Sequence, residues 1–389
     1  MAVISVQYFH SVPPFPSTVS VVSSPMSTEA VTLSPPTTVS KQSAGPVPTI
    51  PFSLPSGFTI HVFAKNLGTP RDLVISPGGT LLVSNPSGNQ VFALPDKNNE
   101  GVTDENKIII SQGNHVHGLA FYGGKLFVAE VNRVVRYTWD ETSLTSTLDK
   151  VLFTLPDSND HNSRTITFDA TGTMYVSVGS TCNVCHETSN LSATVIISNS
   201  NGDNLKVFAS GLRNAPFILF NPTTHELWST EMGRDYLGDN TPPDEINIIR
   251  SGNDYGWPYC YGNKIHDDNF DPAKQHSCDT TQSPIFEIPA HSAPLGLTFI
   301  QSSQFPTDWQ HDLLVSYHGS WNRTVPDCYK VVHLKISGNT ITSSEDFLTG
   351  FIQTGSVKAR PVDLVFDTAG NLYLSDDKSG NVYIIQKTP

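Results

Sequence analysis

Residues 164–178 read RTITFDATGTMYVSV. The pattern is an apolar strand, a DATG turn, and a second strand with alternating apolar residues. The unit returns as RDLVISPGGTLLVSN (71–85), HGLAFYGGKLFVAEV (117–131), APFILFNPTTHELWST (215–230) and VDLVFDTAGNLYLSD (362–376). A further copy, LGLTFI (295–300), reaches its second strand DLLVSYH (312–318) through a longer turn. The matching apolar positions are Ile75, Phe121, Phe168, Phe220, Phe299 and Phe366, spaced by 46, 47, 52, 79 and 67 residues.

Another apolar strand precedes each unit, for example FTIHVFA, KVLFTL and LKVFAS. Six units of about four strands at this period predict an all-β, six-bladed β-propeller. FTIHVFA (58–64) precedes the first full unit and NVYIIQ (381–386) closes the chain, so the two are expected to share the last blade. The propeller is expected over residues 52–389. The widest spacing is read as an insertion, residues 231–283, within that domain.

Residues 1–51 differ: Ser, Thr, Pro and Val dominate and charges are few. They read as a disordered linker with no core of its own. MAVISVQYFHSV lacks the basic start and long apolar run of a secretory signal. The net charge of −13 argues against nucleic acid as a partner, and no apolar run has the length of a membrane span.

Five cysteines bear on the compartment. Cys182 and Cys185 in TCNVCHE could form half a zinc site, but no second CxxC or His pair follows at finger spacing. The favoured reading is two disulfides, Cys182–Cys185 and Cys260–Cys278, with Cys328 left over. Asn190 and Asn322 stand in glycosylation sequons. Together these features point to a secreted, extracellular glycoprotein.

Strands alternate in direction within a blade, so the loop entering each inner strand and the loop leaving each second strand share one face. The entrance loops supply Arg71, His117, His161 with Arg164, Arg213 with Asn214, His291, and Arg360. The exit loops supply Gly233, Arg234 and Asp235, the run His318–Arg323, and Asp376 with Asp377. The expectation is a cationic ring with too few carboxylates to pair it, suited to a multiply charged anion at the axis. The insertion is crowded with Gly, Asp, Asn and Pro, whose outward carbonyls suit a hard cation such as calcium; otherwise its acids cap turns.

DHNSR (160–164), LRNAP (212–216), EMGRD (231–235), DEIN (244–247), YGWPYCYG (255–262), HGSWNR (318–323) and ARPVD (359–363) occur in this order. They resemble the soluble quinoprotein sugar dehydrogenases, best the L-sorbosone dehydrogenase-like branch with the fungal PQQ-dependent pyranose dehydrogenases. The likeness runs from about residue 53 to 389. It implies a propeller that holds pyrroloquinoline quinone (PQQ), a tricarboxylate, together with Ca2+.

By this resemblance His161, beside Asp160, is the general base. Arg213 and Asn214 contact the quinone, and Arg213 also serves catalysis. The carbonyls of Gly233 and Arg234 bind the metal, and Arg360 grips a PQQ carboxylate. His318 stands near the place of a Lys in the bacterial glucose enzymes, and Arg71 joins the cofactor site from its ring position. The implied reaction moves a hydride from a sugar, an aldose, pyranose or sorbosone-like compound, to PQQ. Electrons then pass to an acceptor, in fungal members a heme b cytochrome domain or an artificial dye.

Trp321, Tyr236 and Trp257 are read either as a substrate platform or as packing under loops. Two rivals stand beside this reading. One is a calcium-dependent six-bladed lactonase or esterase, which needs side-chain carboxylates and Asn as metal ligands. The other is a binding propeller, which needs no cationic ring.

Overall fold

Six antiparallel sheets follow one another along the chain. The computed structural model describes residues 51–388 together with Thr38–Val39. The rest of the expected 1–51 linker lies outside the described residues. Thr38–Val39 pairs with Asn106–Ile110 at the outer edge of the first blade.

From the inside outward, blade one is Leu73–Ile75, Leu81–Asn85, Gln90–Leu94 and Asn106–Ile110. Blades two to five repeat this order in sequence. Blade six takes Pro361–Phe366, Leu372–Asp376 and Asn381–Lys387 from the chain's end and Phe58–Ala64 from its other side. The predicted ring closure is thus a ladder in which Ile60 pairs with Ile385.

The strand pattern has a packing cause. Second strands such as Leu81–Asn85 and Leu372–Asp376 are buried along their whole length, because a neighbouring blade covers each face. Alternate residues serve the two neighbours. Leu82 packs with Leu119, Leu126 and Val128 of blade two, whereas Leu81 and Val83 pack with Tyr373 and Val382 of blade six. Six apolar clusters fill the six seams between blades. Outer strands face water, and Thr145–Thr154 is exposed over its middle.

Polar groups tie the inner strands together. The hydroxyls of Ser84, Ser177 and Ser375 each accept the main-chain N–H of Asp72, Thr165 and Asp363 at 3.0 Å. Asp363 accepts the N–H of Leu73 at 2.8 Å, and Asp72 that of Leu119 at 2.5 Å, linking blades six, one and two.

The insertion is shorter than expected. Asp244–Ile249 is the third strand of blade four and Phe286–Ile288 its fourth. The true insertion lies between them and carries the small hairpin Cys260–Tyr261 with Ile265–His266. Cys260–Cys278 is disulfide-bonded across it, and Cys182–Cys185 forms the second predicted bond. Cys328 is free and buried. No helix among the described residues is long and apolar enough to cross a membrane.

Candidate active site

Inner-strand entrances and second-strand exits do meet on one face. Arg71, before blade one, pairs with Asp377, after the second strand of blade six, at 2.8 Å. His318 Nε2 lies 2.9 Å from the same carboxylate. Arg360 donates to the carbonyls of His318 (3.1 Å) and Gly319 (2.7 Å) and lies over the Tyr329 ring. Arg71, His318 and Arg360 therefore form one cluster at blades one, five and six.

A second cluster lines a cavity of about 230 Å3 at blades three to five: Asp160, His161, Arg213, Asn214, Gly233 and Asp235 among others. Trp321 stands at its rim, 61% exposed, edge-on to Tyr236 at 5.9 Å. Trp257 instead donates to the Asn183 carbonyl at 3.3 Å and packs beneath the loop.

His161 is oriented by a relay. Its Nδ1 lies 2.7 Å from the Ser180 hydroxyl, which donates to the carbonyl of Cys182 at 2.7 Å. Ser180 has one proton to give, so His161 Nδ1 carries the N–H and Nε2 keeps its lone pair. Burial, then the Arg213 charge, pushes the imidazole pKa down to about 3, so the ring is neutral at neutral pH. Asp160 Oδ1, at 3.8 Å from Nε2, faces the nitrogen that would take up a proton. Gly179 permits this approach, since a Cβ there would stand 2.6 Å from the His161 Cβ.

Arg213 is almost fully buried and held on several sides. Asp235 pairs with it at 3.0 Å. The Asn183 carbonyl accepts from Nε and the Asn183 side-chain oxygen from Nη2, both at 2.9 Å. The Asn214 main-chain N–H donates to Glu231 at 3.1 Å, while its side-chain oxygen is buried without a partner.

Gly233 donates to Asp244 Oδ1 at 2.9 Å, and a Cβ on it would meet Pro242 at 2.7 Å. The Arg234 side chain turns away from the cavity to the buried Asp267, at 3.1 Å. Glu231, Glu245 and Asp244 lie buried around this segment. Burial raises all three, Glu245 and Asp244 to about 7.

The cationic ring is weaker than the sequence suggested. Arg71, Arg213 and Arg234 each have a carboxylate. His117 is fully buried and held neutral by its burial, with Nδ1 against the Arg164 carbonyl at 3.2 Å. Burial also lowers the His318 pKa. Among the described residues, Arg164, Arg323 and Arg360 have carbonyl partners and no ion pair. The acid of Arg71 sits in another blade, whereas Asp235 and Asp267 pair with Arg213 and Arg234 from the exit loop and insertion of blade four itself.

Ser180 and Asn183 were not foreseen as site residues. The one signal for them was the CxxC spacing, which ties their loop down beside His161.

The family model described as TrAA12-like matches residues 52–388, and the chain belongs to that family. A pyrroloquinoline quinone-dependent sugar dehydrogenase of Hypocrea jecorina is 24% identical over 389 aligned residues, covering 85% of this chain and 88% of that one. Among solved structures, the calcium structure of Trichoderma reesei carbohydrate-active enzymes family AA12 superposes with a TM-score of 0.77 at 22% identity, covering 89% of this chain and 98% of that one. The holo PQQ domain of Coprinopsis cinerea pyranose dehydrogenase gives 0.75 at 22% identity, with 88% and 98% covered. These structural likenesses concern the propeller fold.

Proposed function

We propose that this chain is a PQQ- and Ca2+-dependent oxidoreductase that oxidises a hydroxyl of a sugar, with His161 as general base. The observation that carries this is the Cys182–Ser180–His161 relay, which leaves an unprotonated Nε2 beside a buried guanidinium in one polar cavity. Family membership supports the reaction class.

The residues fit the two groups. Arg360 is fixed by carbonyls and carries a charge that no carboxylate among the described residues pairs, which suits a carboxylate of PQQ. The orphaned oxygen of Asn214 awaits a donor or a cation. Glu231, with an orphaned buried oxygen of its own, joins Glu245 and Asp244 in an acid-rich surround for the Gly233–Arg234 carbonyls. A hard cation on those carbonyls would favour the ionised forms of these acids, which would then balance it. Arg71 and His318 complete the cofactor side through Asp377.

When bound, PQQ supplies the hydride acceptor and Ca2+ the polarisation of its quinone oxygen. The chain's own part is to orient and to move one proton. His161 Nε2 takes the hydroxyl proton, and Asp160 steadies the imidazolium that results. Arg213 presents a rigid positive charge where negative charge develops, at no cost of reorganisation during reaction. Trp321 and Tyr236 offer an apolar edge to a sugar ring.

Outside the cell, where two disulfides persist, reduced cofactor would pass its electrons to a heme b domain or another acceptor. The lactonase alternative finds little support in the clustered His, Cys, Asp and Glu of the described residues: the one group close enough to hold a metal is Cys182, Cys185 and Glu187, and its sulfurs are joined.

The test is titration of the apoprotein with PQQ and Ca2+, followed by a dye-coupled rate on a panel of sugars. Turnover that requires both additions is the expected result. Tight binding of neither, with no oxidation of any sugar, would sink the proposal.

A further inference from the structure

We propose that the loop closed by Cys182–Cys185 is a positioning element for the reacting groups, with Asn183 as its working residue. This rests on the reading above, in which His161 and Arg213 belong to the site.

The loop reaches both groups. Its Cys182 carbonyl accepts the Ser180 hydroxyl at 2.7 Å, and so selects which nitrogen of His161 keeps its lone pair. Its Asn183 carbonyl accepts from Arg213 Nε at 2.9 Å and from the Trp257 indole at 3.3 Å. The Asn183 side-chain oxygen accepts from Arg213 Nη2 at 2.9 Å and from the main-chain N–H of Asp235 at 2.8 Å. One oxygen thus holds the guanidinium and the backbone of the acid that pairs with it.

No regular strand supports residues 182–185. Without the cross-link a segment of this kind would sample many conformations, and each would move the acceptors away from Arg213 and Ser180. The disulfide, with a sequence separation of 3, restricts that freedom directly at the acceptors. Asparagine suits the position because one fixed oxygen must accept twice. Alanine would leave Nη2 of Arg213 and the N–H of Asp235 short of a partner. Aspartate would keep an acceptor oxygen in the same place but would lose the Asn183 Nδ2 donor to the Asp235 carbonyl at 3.4 Å, so it restores only part of the support.

The two disulfides differ in access. Cys260 and Cys278 are buried, at 6% and 7% exposure, whereas Cys182 and Cys185 are half-buried. Dithiothreitol acting on the folded protein should therefore reach Cys182–Cys185 first. The exchange leaves two protein thiols and turns the reagent into its cyclic disulfide.

The first test needs no cofactor. Phenylglyoxal labelling of Arg213 in the apoprotein is followed by peptide mass spectrometry. Labelling should quicken about 10-fold after dithiothreitol and in Asn183→Ala, and less than that in Asn183→Asp. The second test uses the protein loaded with PQQ and Ca2+, with dye-coupled oxidation of a panel of aldohexoses. Asn183→Ala should lower kcat about 10- to 100-fold with little change in KM, and Asn183→Asp should recover part of it.

Should Asn183→Ala fail to fold, reduced wild-type protein makes the same comparison. Labelling of Arg213 that does not change on reduction or in Asn183→Ala overturns the proposal, whatever the loaded protein does. A loaded wild type that oxidises no aldohexose counts against the functional reading instead, and the labelling still decides the role of the loop.

Discussion

The Ser180 hydroxyl accepts a hydrogen bond from His161 Nδ1–H at 2.7 Å and donates its own to the Cys182 carbonyl. The direction of this relay assigns the base function to Nε2. It also makes a serine outside the reacting shell matter to turnover. His161→Ala should bind PQQ nearly as well as wild type and lose roughly 10²–10⁴-fold in turnover. Ser180→Ala should lose less, because the imidazole stays but its tautomer is no longer selected. A PQQ titration and a dye-coupled rate read both variants. Near wild-type turnover in His161→Ala at saturating PQQ would remove the base assignment.

The acid limb of the rate profile follows from the same ring. Burial holds the His161 pKa down to about 3, and a base must be unprotonated to act. Activity due to this group is therefore lost only as pH falls toward about 3. The kcat/KM profile should show no titration of His161 between about pH 8 and 5. A limb near the ordinary histidine pKa that disappears in His161→Gln would contradict this.

Arg360 should act on binding rather than on rate. It is held by the His318 and Gly319 carbonyls with no ion pair among the described residues. Arg360→Ala should weaken PQQ binding by about 1.5–3 kcal/mol, the worth of a charged hydrogen bond, with kcat at saturating PQQ largely kept. Equal loss in kcat and unchanged PQQ affinity would place Arg360 elsewhere in the mechanism.

The apoprotein should be more stable near pH 6.5 than at pH 8. Burial raises Glu245 to about 7, and burial and mutual repulsion raise Asp72 with Asp363 in the same direction. For such groups the folded state binds more protons than the unfolded chain between about pH 4 and 7, so stability falls as pH rises through that window. Thermal melts across pH 6.5 to 8, above the window in which the buried His117, His161 and His318 act in the opposite sense, should show the melting temperature decreasing. A rise over the same window would mean that these acids are paired more strongly than their burial suggests.

Two structural variants separate the disulfide and histidine contributions. Replacing Cys260 and Cys278 by serine frees a loop with a separation of 18 and should cost about 3 kcal/mol in urea unfolding. His333 is fully buried, with its ring nitrogens 2.8 Å from Asp312 and from Glu345. His333→Ala leaves Asp312 buried beside the lost partner and should cost about 3–5 kcal/mol. Unfolding curves unchanged for either variant would show that the contact is replaced by solvent or by relaxation.

Much of the propeller was legible in the sequence because its units repeat. Each unit needs the same apolar anchors to fill a seam, so Ile75, Phe121 and Phe168 recur at blade spacing. Closure was legible too, since FTIHVFA and NVYIIQ each lacked a complete blade. The disulfide partners followed from spacing within loops. What the linear order conceals is which loops of different blades touch. Arg71 and Asp377 are 306 positions apart, yet they meet because blade six closes on blade one. Ring closure pairs Arg71 with an acid that the linear order hides, whereas Arg213 and Arg234 find theirs within blade four. The same holds for Asp244–Ile249, whose Asp and Asn content suggested an irregular insertion. It is a buried strand because blade four needs a third member. The charge and tautomer of His161 lie beyond any sequence reading, since burial and a hydroxyl 19 positions away set them.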